Sequence, residues 1–148
     1  MAFRFPLHAV LHFRRSIEHQ QELRLQAANQ RVARVRQMIH HLDGRRQQLY
    51  STQANELTAG TTAAELRFEL QCAGELMRQR KELERQLSTL EQTRDRQRET
   101  FQLAKRARET LEFVHDQQLS LYKKDALRRE QRNLDDGFLM RREFLHRD

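Results

Sequence analysis

The chain has 148 residues, of which 33% are charged and 37% are hydrophobic, and its formal net charge is +7. It contains one Pro, four Gly, one Cys and no Trp. Because each reversal of a chain needs turn residues, so few Pro and Gly exclude sandwiches, barrels and doubly wound sheets. The abundance of helix-forming residues predicts an all-α fold, with long helices in a single coiled-coil domain over residues 1–148.

The first predicted helix runs from about residue 6 to about residue 58. Pro6 fits the first turn of a helix, where its missing N–H costs nothing. Further along, apolar residues recur at alternating steps of three and four, which is the spacing of a coiled-coil seam. These residues are Leu25, Ala28, Val32, Val35, Ile39 and Leu42. The same phase continues to Leu49, so we expect the helix to continue through Gly44.

A hairpin turn is predicted at about residues 58–62. Gly60 can adopt the left-handed conformation that ends many helices. Thr62 is followed three positions later by Glu65, the spacing of a capping box at the start of the next helix. We therefore expect two antiparallel helices that reverse at Gly60.

The second predicted helix runs from about residue 62 to about residue 136, where two Asp and Gly137 form the first obvious stop. Leu76, Leu83 and Leu90 are spaced seven apart along it. Arg80, Arg94 and Gln97 occupy seam positions as polar interruptions. Antiparallel pairing leaves residues beyond about 120 without a partner in the chain, and we expect this tail to fray or to bind another molecule.

Basic charge is concentrated in the first third of the chain, since residues 1–50 carry nine Arg and three acidic residues. The second predicted helix instead mixes both signs, as expected for a solvated helix surface with many ion pairs. Phosphate binding requires clustered positive charge, and no nucleic-acid-binding motif is present. We therefore predict no nucleic-acid partner, and a basic nucleic-acid-binding rod is the least favoured alternative.

The sequence contains no phosphate loop, dinucleotide fingerprint or nucleophile elbow, so we predict a protein that is not an enzyme and has no cofactor. His8 and His12 share a helical face, but two His without a third ligand do not make a zinc site, and no metal is predicted. Cys72 has no partner for an internal disulfide. No apolar run is long enough to span a membrane and no signal peptide is evident, so we expect a cytoplasmic protein without direct membrane insertion.

Two segments resemble a known family. The first is Phe3-Arg4-Phe5-Pro6-Leu7-His8-Ala9-Val10-Leu11-His12-Phe13-Arg14-Arg15, which is similar to the opening of FliJ proteins of the bacterial flagellar type III export apparatus. The second is Arg128-Arg129-Glu130-Gln131-Arg132-Asn133-Leu134-Asp135-Asp136, which resembles a basic segment near the end of that family. Arg132 stands where the family usually has Lys, and Asp136 where it usually has Glu.

The resemblance implies an antiparallel coiled coil similar to the central stalk of rotary ATPases. Its implied partners are the export ATPase hexamer, the cytoplasmic part of the export gate membrane protein, and export chaperones. It also implies peripheral association with the inner-membrane export apparatus. Residues carried over for ATPase binding are Phe5, Leu7, Val10, Leu11, Arg14, Arg15, Arg128, Arg129, Gln131, Arg132, Leu134 and Asp135. Those carried over for binding to the gate are Phe68, Cys72, Leu76 and Gln79.

The alternative hypothesis is a generic coiled-coil adaptor or chaperone of a type III secretion system, with no role in an ATPase ring. The residues do not distinguish a flagellar system from a virulence secretion system. They also leave open the oligomeric state of the isolated chain.

Overall fold

The computed structural model describes residues 3–145, which form two long α-helices packed against each other and no strand. Helix α1 is His8–Ala59 and helix α2 is Ala63–Leu145. The fold is therefore the predicted helical hairpin. Contacts within the chain divide it into two units, residues 1–18 with 103–148 (unit 1) and residues 19–102 (unit 2), and each is described separately.

The link between the helices, in unit 2, lies where Gly60 and the capping box predict it. Gly60 directly follows α1 and has a φ of 92°, which is the one positive φ in the described chain. Glu65 N donates to Thr62 Oγ1 over 3.3 Å, and Thr62 N donates to Glu65 Oε2 over 2.9 Å. These reciprocal bonds are the predicted capping box, and the bond donated by Thr62 N lowers the pKa of Glu65 below its usual value.

The core of unit 2 follows the predicted seam of α1. Its four buried side chains, at spacings of four, three and seven, are Ala28, Val32, Val35 and Leu42. None of the described residues of α2 is fully buried, because two helices alone cannot cover every apolar side chain. The helices are antiparallel here, since Gln21 lies beside Gln97 and Asp43 lies beside Arg80.

Two of the three polar interruptions in the seam of α2 form hydrogen bonds with α1, whereas Arg94 pairs with its neighbour Asp95. Arg80 Nε donates to Asp43 Oδ1 over 2.7 Å, and this bond lowers the pKa of Asp43. Gln97 Nε2 donates to Gln21 Oε1 over 2.6 Å. These seam positions therefore contribute polar contacts across the interface in place of apolar packing.

Helix α2 does not end near residue 136. It continues through Asp135, Asp136 and Gly137 to Leu145, and Gly137 does not have the positive φ of a helix terminator. Gly inside a helix costs only about 1 kcal/mol relative to Ala, which is too little to stop a helix by itself. The helix boundary predicted at residue 136 is therefore wrong.

Candidate partner-binding surfaces

An aromatic cluster in unit 1 fixes the first residues of the chain to α2. The ring centroids of Phe5 and His115 are 4.9 Å apart in an edge-to-face arrangement, and those of Phe3 and His115 are 5.7 Å apart. The ring centroids of Phe3 and Tyr122 are 5.5 Å apart. Phe5 is buried, as is Leu11 one and a half turns further along. The structure thus places two of the residues assigned to ATPase binding in the core of unit 1.

Charged side chains connect the helices of unit 1 next to this cluster. Arg108 Nη2 donates to Glu18 Oε1 over 3.1 Å, and its Nη1 donates to Glu112 over 2.5 Å. Arg15 Nη2 donates to the other oxygen of Glu112 over 3.0 Å. The bond from Arg15, and then that from Arg108, lowers the pKa of Glu112. Arg15, a predicted ATPase contact, is therefore already paired within the chain.

The remaining residues assigned to ATPase binding are exposed on unit 1. Leu7 and Val10 are 40% and 42% exposed although both are apolar. Arg14 is exposed and has no carboxylate partner among the described residues. The members on α2 are all exposed as well: Arg128, Arg129, Gln131, Arg132, Leu134 and Asp135.

Those α2 residues belong to a segment that is exposed throughout. Every residue from 123 to 145 is exposed, and we call these residues the C-terminal arm. The arm carries large apolar side chains that are between 56% and 81% exposed: Leu127, Leu134, Phe138, Leu139, Met140, Phe144 and Leu145. Contacts within the chain reach slightly further than the predicted residue 120, since Tyr122 contacts Phe3.

The four residues assigned to gate binding lie in unit 2, close to the hairpin link. Phe68 is 67% exposed, Gln79 is exposed, and Cys72 and Leu76 are half-buried. Cys72, Leu76 and Gln79 line one shallow depression of about 450 Å³, to which α1 also contributes Arg45 and Leu49. Phe68 lines the adjoining depression at the link. The structure therefore brings the four residues to one side of the helix pair.

A pair of carboxyl groups lies between the helices near the link. Glu69 Oε2 is buried and has no hydrogen-bond partner. The side chain of Glu56 and the burial of Glu69 raise the pKa of Glu69 above its usual value. A carboxylate has no hydrogen to donate, so protonation of one of the two groups provides the missing hydrogen bond.

We expect Glu69→Gln to raise the melting temperature of the chain at pH 7. The pKa of Glu69 is higher in the folded chain than in the unfolded chain. Its protonated form therefore contributes fully to the stability of the fold below the pKa of the unfolded chain, and this contribution is lost as the pH rises through the pKa of the folded chain. Gln supplies the donor at every pH, so the variant and the wild type should converge near pH 4. Circular dichroism melts at both pH values test this. Glu99→Gln, at an exposed carboxylate without a partner among the described residues, is the control. A gain from Glu69→Gln that is equal at both pH values would contradict the explanation.

Neither a metal centre nor a membrane span is found in the described part of the chain. Among residues 3–145, no three His, Cys, Asp or Glu side chains are placed to hold an ion together. None of the helices there combines the length and the apolar character needed to cross a bilayer.

Sequence reasoning missed the residues of α1 that lie on the same side of unit 2 as Cys72, Leu76 and Gln79. Arg34, Met38, His41 and Arg45 line the same side of unit 2 as Gln79. Their steps of four, three and four mark one face of a helix, and this signal was present in the sequence.

The fold and its exposed surfaces define an all-helical hairpin protein of the coiled-coil type. The family model described as flagellar FliJ protein matches residues 3–147, nearly the whole chain. The chain therefore belongs to the FliJ family, which indicates a role in flagellar type III protein export. Searches among curated proteins and among solved structures gave no match.

Proposed function

We propose that this chain is the non-enzymatic stalk of the flagellar export ATPase and that its C-terminal arm inserts into the ATPase ring. The observation that carries the proposal is the exposure of the arm. Phe138, Leu139 and Met140 follow one another at about 100° steps around the helix, so apolar side chains point to several sides. All three are more than half exposed, at 68%, 56% and 71%.

A helix that is apolar on several sides is stable in water only when a partner surrounds it. A flat docking surface covers one stripe of a helix, whereas the central opening of a ring contacts all of its sides. Basic residues are interspersed with the apolar ones along the arm. Those without an ion-pair partner in the described chain include Arg129, Arg132, Arg141 and Arg142. Such charges orient a docking helix and speed its association more than they raise its affinity.

The first residues of the chain contribute to the same interface in this proposal. Leu7, Val10 and Arg14 are exposed in unit 1 and available to contact the ATPase, together with Arg15 and the assigned residues of the arm. Phe5 and Leu11 act indirectly, because their buried side chains hold the helices of unit 1 together. The stalk itself hydrolyses nothing, and ATP belongs to the partner ring.

The gate and the chaperones are assigned to unit 2. Phe68, Cys72, Leu76 and Gln79 form the surface that we propose for the cytoplasmic part of the export gate protein. Export chaperones are escorted by the same protein, which is cytoplasmic and associates peripherally with the inner-membrane export apparatus. The exposed aromatic ring of Phe68, beside the half-buried Cys72 and Leu76, supports a protein contact at this surface.

Purified full-length chain, added at micromolar concentration to the cognate export ATPase, is expected to raise its rate of ATP hydrolysis and to promote ring assembly. A coupled phosphate-release assay measures the rate, and sedimentation velocity measures the assembly. No change in either quantity would refute the stalk function. Co-purification with secretion chaperones but never with the ATPase would favour the adaptor alternative instead.

A further inference from the structure

One side of unit 2 forms an open groove between the two helices. The groove has a volume of about 620 Å³, with Leu42 and Leu83 at its floor and Met38 on its α1 wall. It continues along the helices into the depression of about 450 Å³ near the link, since Gln79 lines both. Met38 is 53% exposed although it is apolar.

The ion pairs between the helices of unit 2 lie on the opposite side. Asp43 accepts from Arg80, and Arg36 Nη2 lies 2.6 Å from Glu91 Oε1. His41 and Asp43 flank Leu42 in sequence, so they lie about 200° apart around α1. Side chains therefore bridge the helices on one side, and none of the described ion pairs crosses the groove on the other.

The α1 wall of the groove carries positive charge that is not paired within the described chain. Arg34 and Arg45 line it from α1, and neither has a carboxylate partner among the described residues. The acidic residues on the α2 wall are occupied within their own helix. Glu75 lies 2.8 Å from Arg78, and Glu82 lies 3.7 Å from Arg85.

We propose that this groove binds an amphipathic helix of a partner protein, with two carboxylates spaced to pair with Arg34 and Arg45. The two Arg are eleven residues apart on one helix, which corresponds to about 16 Å and three turns. The ligand helix would lie along the groove with its apolar stripe on Met38, Leu42 and Leu83. Two carboxylates eleven residues apart on that helix would then lie next to the two Arg. The arm of a second copy does not fit this description, because basic residues outnumber acidic residues over 123–145.

This inference rests on the proposed function, because Cys72, Leu76 and Gln79 of the gate surface line the neighbouring part of the groove. It specifies the chemistry of the segment that this surface binds, an acidic amphipathic helix. Apolar contact provides the affinity, and the two charge pairs fix the register of the ligand helix along the groove.

The test uses two designed helical peptides with the same leucine stripe, one with Glu and one with Lys at two positions eleven residues apart. Fluorescence anisotropy measures their binding to the full-length chain. We expect the Glu peptide to bind more tightly, and the double variant Arg34→Glu/Arg45→Glu to weaken its binding about tenfold and to prefer the Lys peptide. The control is Arg67→Glu/Arg96→Glu, at two exposed and unpaired positions that do not line the groove, and it should bind like the wild type. Equal binding of both peptides by the wild-type chain would overturn the proposal.

Two further measurements separate this proposal from the gate function. The first is binding of the cytoplasmic part of the cognate gate protein to the same variants and to Phe68→Ala. Loss of gate binding in Phe68→Ala but not in Arg34→Glu/Arg45→Glu would retain the gate surface and refute the acidic ligand. The second is sedimentation velocity of the chain alone. A dimer that dissociates in the double Arg variant would show that a second copy occupies the groove, and would also refute the proposal.

Discussion

Replacing Leu134 and Phe138 together with Ser is expected to reduce stimulation of the export ATPase at least about tenfold, while the chain remains folded. These side chains are 70% and 68% exposed, in a segment where every residue from 123 to 145 is exposed. Their loss therefore removes little apolar contact within the chain, and mainly contact with a partner. An insertion into a ring would bury both side chains, and buried aromatic and aliphatic anchors dominate the energy of most protein interfaces.

The matched control is Leu70→Ser/Met77→Ser on α2 in unit 2. These side chains are similarly exposed, at 59% and 55%, so the two double variants lose comparable apolar surface. The control should stimulate the ATPase like the wild type, and circular dichroism should give both variants the wild-type melting temperature. An equal loss of stimulation in both variants would show that general surface hydrophobicity, and not the arm, drives the effect.

The features that the sequence predicts well are those set by local chemistry. The seam through Ala28, Val32, Val35 and Leu42 is buried as its spacing predicts, because helix periodicity alone decides which residues share a face. The capping box of Thr62 and Glu65 forms as predicted, since its partners are three residues apart and need no tertiary contact.

The end of α2 shows the limit of local signals. Asp and Gly at residues 135–137 are typical of helix ends, yet the helix continues to Leu145. A terminating Gly needs a left-handed backbone, and among the described Gly only Gly60 has a positive φ. Turn-forming residues therefore permit a helix to end without requiring it.

Periodicity places Arg34, Met38, His41 and Arg45 on one face of α1. It does not show that a groove lies beside that face, because the position of the groove depends on how the two helices rotate about each other. The same rotation places Asp43 opposite Arg80 and leaves Arg45 without a partner. Asp43 is half-buried and Arg45 is exposed, and the two charged residues lie two positions apart on α1. Which of them forms an ion pair is decided by tertiary packing.

Tertiary packing also separates the residues that the family resemblance groups together at the N-terminus. Phe5, Leu7, Val10 and Leu11 were all assigned to ATPase binding, but Phe5 and Leu11 are 8% and 3% exposed whereas Leu7 and Val10 are 40% and 42% exposed. Motif similarity identifies residues that are important to the family. It does not separate the residues that hold the two helices together from those that contact the partner protein.

Leu11→Ala is therefore expected to destabilise the chain by about 2–3 kcal/mol, because it removes a buried side chain and leaves a cavity in unit 1. Urea unfolding followed by circular dichroism measures this loss. At a temperature where the variant remains folded, its stimulation of the ATPase should stay close to that of the wild type, since the buried side chain does not reach the partner. Leu7→Ser/Val10→Ser should give weaker stimulation even under conditions where the variant remains folded. If the folded Leu11→Ala chain instead loses stimulation while Leu7→Ser/Val10→Ser retains it, Leu11 contacts the ATPase and the assignment of these four residues must be reversed.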